Sequence, residues 1–246
     1  MNASSPQFSV IVPVMNEAGN ILPLAQAVDT VMALPEVANG DYELIFIDDA
    51  SRDTTVAEIL QAKARNPKVR LLRYPENRGQ SRAMRIGIEA ARARWIVTLD
   101  GDMQNPPSEI ARLVAALPDR NTDMLVGGIR QKRQDTASKR YASRAANKIR
   151  QWALKDDCPD TGCALRLFPR DAYLQLPFFN HMHRYFPVLF KMIGLPMAFV
   201  PVSHSARGAG VSKYTNWQRA LVGIVDLVGV RWLQARTRPT KSWEEQ

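Results

Sequence analysis

Over the first hundred residues, short apolar runs rich in β-branched side chains alternate with segments of helical periodicity, and each run stops at polar residues. Phe8–Val14 (FSVIVPV) reads as a buried strand that ends at Asn16-Glu17. Tyr42–Ile47 is a second strand, closed by Asp48-Asp49, Val69–Tyr74 a third, and Trp95–Leu99 a fourth that ends in Asp100. Between them, Ile21, Leu24, Ala25, Val28 and Val31 recur at helical spacing, as do Val56, Ile59 and Leu60, with Ser51 or Asp53 able to cap the second helix; Arg82–Ala93 continues the pattern. Strand and helix in strict alternation build a parallel sheet with helices on both faces, so the expected class is α/β. Ligands of such sheets bind beyond the carboxyl ends of the strands. Asn16, Glu17, Asp48, Asp49, Asp100 and Asp102 all fall at those ends.

The second half is less regular. Asp123–Ile129 predicts a further strand, and Arg130–Arg150 carries eight basic residues, among them Arg130, Lys139 and Arg140, against the single acid Asp135. Asp160-Thr161-Gly162 precedes a strand at Ala164–Phe168. A Pro- and aromatic-rich stretch (Phe178 to Val202), the tract Arg207–Tyr214 and an apolar C-terminal segment follow. No repeat or linker divides the chain. The expected organisation is one domain, residues 1–214, with an amphipathic helical segment and tail at 215–246.

Charge narrows the partners. Thirty-three Lys+Arg against 24 Asp+Glu leave +9, which favours nucleotide phosphates, acidic lipid headgroups or nucleic acid. Nothing resembles a helix-turn-helix, a zinc finger or an aromatic RNA-binding sheet, so nucleic acid is set aside. Cys158 and Cys163 are too few for a disulfide framework and a poor zinc pair; they read as buried thiols in a reducing compartment. No signal peptide is legible at the N-terminus. The longest apolar stretch, Ala220–Leu233, is broken by Asp226 and Arg231. It falls short of the roughly 18–20 apolar residues of a membrane span, so a soluble or surface-bound protein is expected.

Asp100-Gly101-Asp102-Met103-Gln104, directly after an apolar strand, is the most specific local feature. Two carboxylates flanking a glycine suit Mg²⁺ or Mn²⁺, hard cations that keep waters and share a substrate diphosphate. A turn with capping aspartates is the alternative for the pair alone. It is joined, however, by Pro13-Val14-Met15-Asn16-Glu17, Asp48-Asp49-Ala50-Ser51-Arg52-Asp53, Asn77-Arg78-Gly79-Gln80-Ser81, Asp160-Thr161-Gly162 and Arg207-Gly208-Ala209-Gly210-Val211-Ser212-Lys213. Together these resemble the family 2 glycosyltransferases of GT-A fold, and within them the polyprenyl-phosphate branch, from about Phe8 to Tyr214.

The resemblance implies a Rossmann-like, mostly parallel sheet flanked by helices, and an inverting, metal-dependent transfer of one sugar from a nucleotide sugar to a polyprenyl phosphate. By it, Pro13, Asn16, Glu17 and Arg78 line the donor pocket, Asp48 meets the base and Asp49 the ribose. Asp100, Asp102 and Gln104 hold the divalent cation. Arg207, Ser212 and Lys213 meet the phosphates, and Arg130 with Lys139 or Arg140 binds the acceptor phosphate. The resemblance also implies work at the cytoplasmic face of a membrane. Met15 stands where the family usually has Tyr, and Val228 replaces Gln in the Gln-x-x-Arg-Trp motif of processive synthases, which speaks against processivity. A non-lipid acceptor, a glycan or small-molecule hydroxyl, is the rival; it would need a base, for which Asp160 is the candidate. The apolar segment Trp217–Leu233, flanked by Trp217, Arg219, Arg231 and Trp232, can lie in a bilayer interface, pack on the sheet or form a contact in a homo-oligomer.

Overall fold

The computed structural model describes residues 5–131, 148, 150–156, 158–205 and 216–237, with 216–222 by backbone alone. Lys139, Arg140, Arg207, Ser212 and Lys213 lie outside the described residues.

The strands are β1 (Phe8–Val14), β2 (Tyr42–Asp49), β3 (Val69–Tyr74), β4 (Trp95–Thr98), β5 (Leu125–Arg130), β6 (Arg166–Pro169) and β7 (Met197–Val202). The helices are α1 (Ile21–Met32), α2 (Thr55–Arg65), α3 (Gln80–Ala90), α4 (Ile110–Ala115), α5 (Arg170–Leu174), α6 (Phe186–Met192) and α7 (Asn216–Arg236). One seven-stranded sheet runs in the order β3-β2-β1-β4-β6-β5-β7. Four of its six pairings are parallel, and β6 runs antiparallel to both β4 and β5.

Successive residues of the central strands feed two separate cores. Phe8, Val10 and Val12 of β1, with Leu44 and Phe46 of β2, pack against Leu24 and Val28 of α1, Ile59 of α2 and Leu113 of α4. Ile11, Ile45 and Ile47 point the other way, onto Met84 and Ile88 of α3, with Phe168, Phe186 and Phe190 in the same cluster. Period-2 alternation with both faces apolar is what a sheet covered on both sides requires. Pro13 sits in β1 without disrupting a ladder because β1 pairs with β4 only as far as Ile11 opposite Thr98.

The first three predicted strands match the observed ones closely, and β4 stops one residue short of Leu99. The sheet is mostly parallel, as expected, and the antiparallel β6, which enters between β4 and β5, is the exception. The stretch Phe178–Val202 contains an edge strand, β7, beside α6. Its Pro201 is tolerated because β7 pairs on one side only, with β5.

Helix α3 approaches the sheet at Gly87, where an added Cβ would lie 2.6 Å from Ile47 Cδ1 and 2.9 Å from Ile11 Cγ2. Gly87→Ala is therefore expected to destabilise by about 1–3 kcal/mol through overpacking, although alanine is the better helix former by about 1 kcal/mol. Urea unfolding of the variant measures the sign directly.

Candidate functional site

The register of the parallel strands brings the predicted residues together. Val14 lies opposite Asp48, Asp49 opposite Tyr74, and Ile11 opposite Thr98, so β1, β2 and β4 end along one edge. Gly101 confirms the convergence: a Cβ there would meet Val14 Cγ1 at 2.8 Å and Glu17 Cγ at 3.3 Å, so the β4 and β1 ends touch.

Asn16 adopts a left-handed conformation (φ 53°), which asparagine tolerates better than most residues. Its N–H donates to Ser51 Oγ (2.9 Å) and its Oδ1 accepts from Arg52 N (2.8 Å), tying the β1 loop to the β2 loop. Glu17 N donates to Thr55 Oγ1 (2.8 Å), and Glu17 Oε2 accepts from Asn20 Nδ2 (3.0 Å). Ser51 is thus spent on Asn16; neither it nor Asp53 is the cap of α2, whose N-cap position is Thr54, and Asp53 instead accepts from Thr55 N (3.0 Å) in the turn just before the helix. Pro13 is half-buried at the end of β1.

Asp48 is buried. Its Oδ1 accepts from Ser51 N (3.2 Å); its Oδ2 has no hydrogen bond and lies 3.4 Å from Arg73 Nε. Asp49 is spent on the loop before α3, its two oxygens accepting from Arg78 N (2.6 Å) and Gly79 N (2.8 Å). That pair of bonds fixes Gly79 at φ 83°, a conformation that favours glycine. Arg78 contributes its backbone to this arrangement, and its guanidinium pairs with Glu76 at 3.0 Å on the surface.

Asp100 and Asp102 occupy the crevice between the strand ends. Gln80 Nε2, at the start of α3, donates to Asp100 Oδ1 (2.9 Å). Asp102 is buried and accepts from Gln104 N (3.2 Å), while the Gln104 carbonyl accepts from Ser205 N (2.9 Å). Burial, and next the neighbouring Asp102 charge, push the Asp100 carboxyl up to about 6, against the pull of the Arg166 and Arg130 guanidiniums. A like-charge pair in this condition fits a divalent cation, which would relieve the repulsion. Among the described residues no group of three His, Cys, Asp or Glu could hold a metal ion.

Behind the crevice is a cluster that sequence reasoning did not assemble. Arg130 closes a fork on Asp160, Nε to Oδ2 and NH2 to Oδ1, both 2.7 Å, with little exposure of either side chain. Asp160 also accepts from Arg130 N (3.2 Å) and Gly162 N (3.1 Å). Arg166 is buried at the start of β6, donating to the carbonyls of Thr161 (2.7 Å) and His183 (2.8 Å), its guanidinium 5.1 Å from the Phe186 ring centroid. Burial, with the charges of Arg184, Arg166 and His181, holds the His183 ring down to about 3, so it is neutral where its Nδ1 meets Ser81 Oγ at 2.7 Å. The signal was present in the sequence: an arginine inside the apolar strand Ala164–Phe168 has to be held by partners if that strand is buried. Cys158 and Cys163 are free and buried, as expected; burial pushes the Cys158 thiol up to about 11, leaving it inert.

A mixed sheet with a paired-carboxylate crevice at its parallel strand ends is the architecture of the GT-A glycosyltransferases. Across 96% of its length the chain superposes on a mannosyltransferase from Pyrobaculum calidifontis in complex with GDP-Man and Mn²⁺, at TM-score 0.66 and 20% identity, covering 66% of that chain. It superposes equally on glucosyl-3-phosphoglycerate synthase from Mycobacterium tuberculosis in complex with Mn²⁺, UDP-Glc and glycerol 3-phosphate, at TM-score 0.69 and 16% identity over 82% of that chain.

Residues 9–176 match the Glycosyl transferase family 2 domain, and the chain belongs to that family. It is 35% identical over 208 residues to an undecaprenyl-phosphate 4-deoxy-4-formamido-L-arabinose transferase of Shewanella sediminis, covering 84% of this chain and 61% of the relative. To a dodecaprenyl-phosphate galacturonate synthase of Rhizobium johnstonii it is 32% identical over 241 residues, covering 96% of this chain and 70% of the relative.

Were Asp100 and Asp102 to hold a divalent cation, the raised Asp100 carboxyl would make its binding pH-dependent. Below about pH 6 a proton must leave for the cation to bind, so the Mn²⁺ affinity of the free protein is expected to fall about tenfold per pH unit there and to level off above about pH 7. Calorimetric or EPR titration with Mn²⁺ across this range checks the slope, and Asp102→Ala should abolish the binding.

Proposed function

We propose that the protein transfers one sugar from a nucleotide sugar to a polyprenyl phosphate, with inversion at the anomeric carbon and a divalent cation on the donor diphosphate. The relatives that act on undecaprenyl or dodecaprenyl phosphate support the acceptor class, and the Mn²⁺ complexes of the structural neighbours support the cation. The chain spans between 61% and 70% of the length of four such relatives.

The observation that carries this reading is the condition of Asp160. Transfer to a hydroxyl needs a base to take the hydroxyl proton, whereas a phosphate monoester, with its second pKa near 6, reaches the site already largely ionised. Asp160 is the one carboxylate that the sequence offered as a base. Four hydrogen-bond donations meet its two oxygens, two of them from a guanidinium fork. A carboxylate saturated in this way is a poor proton acceptor and a good orienter of Arg130.

In this reading Asp48 and the β1 loop receive the nucleoside, and Asp100, Asp102 and Gln104 are the residues that would hold the cation, which stabilises the departing diphosphate when bound. Arg130, aimed by Asp160, faces the acceptor phosphate. Arg207, Ser212 and Lys213, with Lys139 or Arg140, complete the cationic lining. Residues 1–214 act as the catalytic domain, and the protein works peripherally at the cytoplasmic face of an anionic membrane.

The test is release of nucleoside diphosphate from UDP- and GDP-sugars with Mn²⁺, with and without undecaprenyl phosphate. Turnover is expected only with the lipid. Asp160→Asn is expected to raise the acceptor KM while leaving kcat measurable. A loss of about 10²–10⁴-fold in kcat would instead identify a base and favour a hydroxyl acceptor.

A further inference from the structure

Helix α7 meets the rest of the protein through its polar and its small residues. Asp226, the helix's one acid, faces His181 Nδ1 at 3.1 Å, Gln234 Nε2 donates to the Leu154 carbonyl at 2.8 Å, and the Gly223 carbonyl accepts from Tyr185 Oη at 3.3 Å. Val230 is buried and Leu227 packs beside it on the second core. The opposite face is apolar and open: Ile224, Val225, Val228 and Trp232 are 60%, 71%, 64% and 59% exposed. A helix that packs on a water-soluble body ordinarily turns its polar face outward, and this one does the reverse.

Two further observations say what covers that face. Its flanks are basic, since Arg231 and Arg236 are exposed on either side of the apolar stripe at 3.6-residue spacing, and Arg236 lies 5.9 Å from the Trp232 ring centroid. Beside it, the helical residues 150–154, whose Leu154 carbonyl holds Gln234, carry Trp152 at 82% exposure. Of the seven large hydrophobic side chains exposed among the described residues, five lie on these two neighbouring elements, which makes them a patch and not scatter. No helix of the described residues is long and apolar enough to cross a membrane.

We propose that this face docks onto an anionic bilayer, with α7 lying along the headgroup plane, Ile224, Val225, Val228 and Trp232 entering the acyl boundary, and Arg231 and Arg236 meeting lipid phosphates. Tryptophan and arginine around an aliphatic stripe match that boundary, where one end of each side chain is apolar and the other wet. A second copy of the chain fits less well: a two-fold contact would set this face against itself and bring Arg231 and Arg236 together with their copies, with no carboxylate among the described residues of the face to meet them. The inference rests on the lipid acceptor of the proposed function only in giving the docking a purpose. The surface itself is read from exposure and charge.

The experiment is co-sedimentation of the full chain with phosphatidylcholine vesicles, with and without phosphatidylglycerol, alongside quenching of tryptophan fluorescence by brominated lipid. The wild type is expected to bind the anionic vesicles, weaken with salt and be quenched. Val225→Asp and Val228→Asp, at exposed positions that leave the packed face intact, are each expected to weaken binding about tenfold or more, with unchanged circular dichroism and melting temperature. Their turnover of a short-chain, water-soluble polyprenyl phosphate should match the wild type. Unchanged vesicle binding by both variants overturns the proposal, as does a wild-type dimer in light scattering that either variant converts to monomer. Vesicle binding without turnover of any acceptor would uphold the surface and defeat the proposed function, so the two fail separately.

Discussion

Four carboxylates of one sign, those of Asp48, Asp49, Asp100 and Asp102, are gathered at one edge of the sheet, and everything around them acts to make that gathering tolerable. Asp49 is met by two backbone N–H groups, Asp48 by the Ser51 N–H and the nearby Arg73, Asp102 by the Gln104 N–H, and Asp100 by the Gln80 amide. The backbone donors of Ser51, Arg78, Gly79 and Gln104 belong to loops that the carboxylates thereby fix. The turns at the strand ends are built around their charges, and the repulsion left over is concentrated on Asp100, the half-buried member that faces Asp102.

The other wall of the crevice answers with cations. Arg130 and Arg166 both pull on Asp100 from a distance, and both are anchored to the same short turn, Arg130 through the Asp160 carboxylate and Arg166 through the Thr161 carbonyl. At Gly162 a Cβ would lie 2.4 Å from Arg130 Nη2, so any larger residue there would displace the guanidinium from its fork. Arg166 reaches on to the His183 carbonyl, and His183 to Ser81 in the first turn of α3, next to the Gln80 that holds Asp100. The crevice is thus closed into a ring of contacts running from α3 through β6 and back. Rigid placement of charge in this manner is what the proposed transfer between two anionic substrates demands.

The family's chemistry and the protein's outer surface meet at the second half of the chain. The strand β6, which breaks the parallel pattern, delivers Arg166 and, just before it, the Asp160–Gly162 turn beside the β4 end. An additional parallel strand would have entered from the opposite end and left that edge without them. Farther out, His181 and Tyr185, just before α6, and the carbonyl of Leu154 hold α7, and the polarity of that packing decides which face of α7 is presented to the surroundings.

The sequence by itself determined the elements and the gathering of carboxylates at the strand ends. Alternating apolar runs state their own period, and a run such as YELIFI that ends in Asp-Asp announces both a strand and the end of the sheet at which it stops. The tertiary structure alone decided the rest, because it depends on pairings between residues far apart in the chain. Arg130 and Asp160, thirty positions apart, each read from sequence as a separate functional group, and their fork turned a candidate base into an orienter. The antiparallel β6 and the edge strand β7 are matters of neighbour choice within the sheet, which short runs do not encode. The face that α7 buries was equally undetermined: the partners of Asp226 and Gln234, not the helix's own periodicity, set its rotation.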